Sequence, residues 1–346
     1  MKMASLNALI LVCLTGMFMA CFAAGSGTSE LTATNTAHST LVFSPYKYVR
    51  NNMDWNQQQL TIAVTGKPRS LLDVIPPQLS TITLAFATGE CGEEAWDGFS
   101  GEKFAAATIA SLANAGKKYL ISTGGQAGAF TCNSDAGFEK FIERYQSRYF
   151  LGIDFDIEAS QSTQQIEQLI QRVKVAQIAY PSLRFSFTLP TLAVVDKPAL
   201  GAIGVTVMKA IQVAGLRHYV VNLMTMDYGI SSPQACVVAA NGRCDMGLSA
   251  IQAALNLHIF WGVPFDQIEI TPMIGGNDTV DETFSLSDVV TVSRFAKQNQ
   301  LAGLHFWSID RDSDCAPGPA SADCNTFGAS GLFGFTNAFL RHLTTE

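Results

Sequence analysis

Residues 149–158 read YFLGIDFDIE, with Asp154, Asp156 and Glu158 two apart inside an otherwise apolar run. Burying a carboxylate without a partner is costly, so core segments normally exclude it. In an extended strand side chains alternate, which puts the three acids on one face, about 6.6 Å apart at each step. Ile153, Phe155 and Ile157 take the other face. Three carboxylates this close cannot all ionise cheaply, so at least one must keep its proton above the ordinary carboxylate range. An acid of that kind can protonate a leaving oxygen. Pairing with Arg or Lys is the plainer use, but the inward strands offer almost no basic residue. A divalent cation is the other. No histidine or second acidic strand is near to complete a ligand set, and no Cys-x-x-Cys pair or His/Cys cluster suggests zinc. Acid catalysis without a metal or cofactor is the expectation.

Such a row needs rigid elements to hold it. The chain alternates short β-rich runs with longer helical stretches. Candidate strands are Leu41–Tyr46, Thr81–Ala87, Lys118–Ser122, Leu151–Ile157, Arg184–Leu189, His218–Met226, Ile268–Met273 and Gly303–Ser308. Helical patterns fall at Ala105–Ala115, Phe138–Arg148, Gln164–Ala179 and Leu248–Leu257. Continuous Val/Ile/Leu runs mark parallel strands covered on both faces. Eight such units predict the α/β class and a single (β/α)8 TIM barrel, with the acids climbing the fourth strand towards the C-terminal mouth. A doubly wound dinucleotide fold would carry G-x-G-x-x-G after its first strand, and none is there.

The 346 residues are 48% hydrophobic and 15% charged, ample for one large core. A net charge of −7 with no Lys/Arg cluster argues against nucleic acid as a partner. The first 25 residues, MKMASLNALILVCLTGMFMACFAAG, look like a secretory signal peptide. An uncleaved membrane anchor and a lipoprotein leader acylated at Cys21 are the rivals, and all three mean export: secreted, periplasmic or at the cell surface. Association with a membrane is expected only in those two cases. Residues 26–40 read as a flexible linker, and 41–346 as the barrel. Six cysteines follow the leader, an even number that suggests disulfides in an exported chain. Cys236 with Cys244 and Cys315 with Cys324 are short loop staples, which leaves Cys91 and Cys132 to pair.

GIDFDIE resembles the D-x-x-D-x-D-x-E signature of glycoside hydrolase family 18, the chitinases. Ser122-Thr123-Gly124-Gly125 is similar to that family's S-x-G-G on strand three. VNLMTMDYG (221–229) resembles its strand-six motif, in the bacterial and archaeal branch with M-D-Y-G. PMIGGND (272–278) and the Trp of LHFWSIDRD (304–312) resemble strands seven and eight. The likeness runs from Phe43 to about Leu340. Two positions depart from it. Leu151 stands where the signature has its first Asp, on the outward parity of the strand. Met226 stands where strand six usually has Tyr, and Tyr228, two residues on, is the candidate substitute.

The resemblance implies an exported chitinase that cuts β-1,4-linked N-acetylglucosamine with retention. Chitin or chito-oligosaccharides would be its partners, and no obligatory protein partner is implied. Glu158 is implied as general acid and base. Asp156 would orient the substrate's 2-acetamido group, and Asp154 would share a proton with Asp156. Tyr228 would bind the acetamide oxygen. Trp307 would floor the sugar, with Asp278, Met226, Asp227 and Trp96 as further binding candidates. Trp55 is open to either an outer subsite or packing, and Gly124 and Gly125 read as conformational. The same fold also hosts endo-β-N-acetylglucosaminidases acting on N-glycans and non-hydrolytic lectins. The lectins typically lose the acid, which this chain keeps.

Overall fold

The computed structural model describes residues 41–344 except Ala127, Ala159, Ser160, Ala199 and Pro319. The leader and linker expected over 1–40 lie outside the described residues. The described residues, within 41–344, belong to one compact unit.

That unit is built on one curled parallel sheet. Its strands are β1, in two pieces at Val42–Phe43 and Tyr46–Tyr48, β2 (Thr81–Ala87), β3 (Lys118–Gly124), β4 (Phe150–Asp156), β5 (Arg184–Pro190), β6 (Val220–Met224), β7 (Ile268–Thr271) and β8 (Gly303–Leu304). Each pairs in parallel with the next in the series. The two pieces of β1 lie at opposite edges, one on β8 and one on β2. Sequence boundaries are close for β2 and β3. The sixth and seventh strands are shorter than expected, and β8 continues as backbone bonds beyond its assigned end, with Trp307 N–H on the Pro272 carbonyl at 2.9 Å.

Helices cover the outside of the sheet: α1 (Leu71–Val74), α2 (Gly101–Asn114), α3 (Asp135–Tyr145), α4 (Thr163–Ala179), α5 (Ala202–Ala214), α6 (Met246–Trp261), α7 (Leu286–Asn299) and α8 (Gly334–Thr344). In α3, Phe138, Phe141, Ile142 and Tyr145 recur at helical spacing and are buried. Phe138 meets the outward face of β4 at Phe155, ring centroids 6.2 Å apart. Ile153, Phe155 and Ile157 are all within this core, which forces the acids to the opposite face. α4 starts just after the acidic strand with a capping box between Ser162 and Gln165, whose side chains satisfy each other's backbone N–H. That cap fixes where the chain turns after Glu158.

Disulfides join Cys91 to Cys132, Cys236 to Cys244 and Cys315 to Cys324. The first ties the loops after β2 and β3, which also pair as two short parallel strands, Gly89–Glu90 on Phe130–Thr131. Among the described residues no helix is long and apolar enough to cross a membrane.

Candidate active site

Strand register decides what surrounds the acids. Asp154 on β4 lies beside Ser122 on β3 and Ser186 on β5, and Asp156 lies beside Gly124 and Thr188. Asp154 is 2% exposed. Its Oδ2 accepts hydrogen bonds from the Tyr46 hydroxyl at 2.9 Å and Ser122 at 2.7 Å. Its Oδ1 accepts from Ser186 at 2.8 Å and Thr188 at 2.6 Å. These hydroxyls are aimed from behind. The Asn222 amide donates to Tyr46 at 3.0 Å and to Thr188 at 2.9 Å, and its own oxygen accepts from Thr271 at 2.7 Å. With the amide on their lone pairs, Tyr46 and Thr188 turn their protons to Asp154.

Four donors suit a carboxylate that is an acceptor only. Burial raises the pKa of Asp154, and the four hydroxyls pull against that. Hydroxyls fill the acceptor sites of Asp154. Asp156 differs. It is 5% exposed, and its Oδ1 is buried with no hydrogen-bond partner. Burial, then the charges of Glu158 and Asp154, push its pKa well above the ordinary range. Glu158, half-buried just past the end of β4, is also raised, by burial and then by the Asp227 carboxylate, with the Gln126 backbone N–H opposing.

Asp156 and Glu158 open into a cavity of roughly 590 Å³. Trp307 lines it beside Phe86, the two rings stacked at 5.6 Å and 15°. Tyr46 and Tyr48 complete the aromatic wall, with centroids 6.0 and 5.3 Å from Trp307. Met226, Asp227 and Asp278 line the cavity as expected, Asp278 from an exposed position. Gly124 and Gly125 take φ of 87° and 79°. A Cβ on Gly124 would stand 2.2 Å from the Asp156 carbonyl oxygen, and one on Gly125 2.8 Å from the Phe86 ring. Only glycine allows β3 this close to the acid strand and to the aromatic wall.

Two expected site residues lie elsewhere. Trp96 is fully buried, stacked on Phe104 at 3.8 Å, and donates its indole N–H to the Tyr145 hydroxyl at 2.8 Å. It packs α2 against α3 and touches no sugar site. Trp96→Ala should lower unfolding free energy by about 3–5 kcal/mol in denaturant titration; a loss under ~1 kcal/mol would contradict this placement. Tyr228 is 5% exposed, belongs to the hydrophobic core and does not line the cavity. The strand-six positions that reach it are Met224, Met226 and Asp227. Trp55 stacks on Phe99 at 3.9 Å, outside the cavity.

Buried and half-buried basic residues do exist near the sheet, but they serve other acids. Lys47 pairs with Asp310, and Arg184 with Glu269, whose carboxyl is held down at about 2. The buried Arg311 donates to the Gly276 carbonyl at 2.6 Å. None takes the acids of β4. Tyr46, Tyr48, Phe86, Gln126 and Thr188 were not foreseen in the cavity. Alternation was the available signal for several: Tyr46 and Tyr48 flank Lys47, and Ser186 and Thr188 alternate with Phe185 and Phe187. Among the described residues one grouping has metal-ligand atoms close together, Glu90 with Cys91 and Cys132. Its two sulfurs are joined in a disulfide.

The fold has solved counterparts. The catalytic domain of the hyperthermophilic chitinase from Pyrococcus furiosus superposes with a TM-score of 0.65 at 25% identity, over 88% of this chain and 95% of that one. Its fold is that of a chitinase. A family 18 chitinase from Chromobacterium violaceum matches with a TM-score of 0.57 at 18% identity, over 88% and 84% of the two chains. In sequence, 223 residues are 30% identical to a probable bifunctional chitinase/lysozyme of Escherichia coli (strain K12), covering 59% of this chain. The chain spans only 24% of that relative's length. No protein-family model matches. The relatives and neighbours named here are described as chitinases, which are glycoside hydrolases.

Proposed function

We propose that the protein is an exported family 18 chitinase that hydrolyses β-1,4-linked N-acetylglucosamine with retention, through the substrate's own acetamide group. The observation that carries this reading is the buried, unpartnered Oδ1 of Asp156 at the floor of a cavity shared with Glu158 and Trp307. An unmet acceptor in a buried place is costly. A bound acetamide N–H would satisfy it. The Pyrococcus furiosus enzyme has been solved with chito-oligosaccharides, which supports a ligand of that class. The sheet, with β1 bonded to both β2 and β8, would close as an eight-unit barrel occupying 41–346, and residues 1–25 would direct export.

In this scheme the sugar lies on Trp307, whose flat apolar face packs on pyranose C–H bonds. Protonated Glu158 donates to the glycosidic oxygen as the C1–O bond breaks. The 2-acetamido carbonyl oxygen attacks C1 from the opposite side and closes an oxazolinium ion, as substrate-assisted enzymes do without a carboxylate nucleophile. Asp156 accepts the acetamide N–H, holds the carbonyl in line and offsets the positive charge that develops. Glu158, now ionised, takes a proton from water, and the hydroxide bonds to C1 as the ring reopens. Two displacements give net retention. Asp154 touches no reacting atom; its hydroxyl cage fixes it beneath Asp156, whose pKa its charge helps to raise.

The direct test is cleavage of soluble N-acetylglucosamine oligomers with product sizes recorded. Release of shorter acetylated oligomers is expected, and binding without cleavage would overturn the reading. A pH signature goes with it. Glu158 must be protonated to act, and the neighbouring Asp227 charge helps keep it so. Asp227→Asn removes that charge and lowers the Glu158 pKa, so the alkaline limb of the kcat profile should move to lower pH. An unmoved limb, or one displaced upward, would contradict the assignment of Glu158 as acid.

A further inference from the structure

Met226 and Asp227 line the cavity from a turn that leaves the sheet after β6, where Asp227 takes φ 49° and Gly229 φ 93°. No strand ladder reaches this turn; the segment after β7 holds it. The Asn277 side-chain oxygen accepts the Asp227 N–H at 3.3 Å, and Asp227 Oδ1 accepts the Thr279 N–H at 2.9 Å. The carboxylate of Glu282, 1% exposed, accepts the Tyr228 N–H at 3.1 Å and is also met by the N–H groups of Asp227 and Gly229. Glu282 is itself fixed, its N–H on the Thr279 carbonyl at 3.2 Å and its carbonyl on the Asn277 N–H at 3.0 Å.

Three successive backbone N–H groups turned to one point form an anion-binding concavity. Here the anion is a side chain of the same protein. Among the described residues no Lys or Arg forms an ion pair with Glu282. Burial raises its pKa to about 7, so the position is a poor one for a charge. Glu282 does not line the cavity, and its contacts lead to the turn that does. We infer that Glu282 is a positioning residue for substrate binding: it fixes the turn carrying Met226 and Asp227 and thereby sets that wall of the cleft. The inference about binding rests on the chitinase reading; the inference about the turn does not.

The test uses Glu282→Gln in the full chain. The amide keeps the shape but turns one acceptor into a donor facing N–H groups. Hydrogen exchange by mass spectrometry should show the peptide covering 225–230 exchanging at least about tenfold faster, with β4 unchanged. KM for soluble N-acetylglucosamine oligomers should rise about tenfold while kcat changes less than about threefold. Unchanged exchange at 225–230 would overturn the positioning role, and so would faster exchange with KM within about twofold of wild type. If the glutamine variant fails to fold, Glu282→Asp, which keeps the charge and withdraws it by one methylene, carries the same readouts. A wild-type protein that cuts no oligomer defeats the chitinase reading alone, since the exchange measurement still decides whether Glu282 holds the turn.

Discussion

Glu158→Gln is expected to lower turnover by about 10²–10⁴-fold while chito-oligosaccharides still bind. The amide keeps the volume of the side chain and can still accept the Gln126 N–H. It cannot deliver a proton to the glycosidic oxygen or take one from water. The fold should not suffer, because one of three crowded acids is removed and Asp156, raised in part by the charge of Glu158, is relieved. The loss is then chemical and not structural. Single-turnover rates on soluble oligomers, alongside calorimetric binding, separate the two. Near-normal turnover would remove Glu158 as the acid.

Asp156→Asn should cost about 10²–10³ in kcat, on the scale of removing one preorganised group that meets developing charge. Asparagine offers an oxygen where Asp156 Oδ1 lies, so some acetamide contact survives. It has no negative charge to set against the oxazolinium ion, and its amide can also turn a donor towards the acetamide N–H. Binding should weaken much less than turnover, because Trp307 and its aromatic neighbours are untouched. A rate within a few-fold of wild type would show that the acetamide is not oriented from this position.

The acid strand was legible because strand chemistry has a period of two. Asp154, Asp156 and Glu158 against Ile153, Phe155 and Ile157 can be sorted into faces from the sequence alone, and the structure keeps that sorting. The same rule misled at Tyr228. Counting two residues on from Met226 assumes the strand continues, but β6 ends at Met224 and Asp227 is left-handed. A single residue at positive φ breaks the alternation, and Tyr228 enters the core. Trp96 was out of reach for another reason. Its hydrogen-bond partner Tyr145 is 49 residues away, on a helix whose packing only the folded chain reveals. The hydroxyl cage of Asp154 lay between. Each of its members is a polar residue on another strand, Ser122, Ser186 and Thr188 on the neighbours of β4 and Tyr46 across the sheet on β1. Their convergence depends on register and on the curl of the sheet.

The central claim is that the nucleophile belongs to the substrate, and partly acetylated chitosan tests it most directly. A sugar with a free amine at C2 has no carbonyl oxygen to attack C1 and no amide N–H for Asp156. Such a unit can still stack on Trp307, so binding alone does not discriminate. Cleavage should occur only where an acetylated unit occupies the sugar site next to Glu158. After digestion, sequencing of the products by mass spectrometry should find N-acetylglucosamine at essentially every new reducing end. A substantial fraction of glucosamine at those ends would contradict the account.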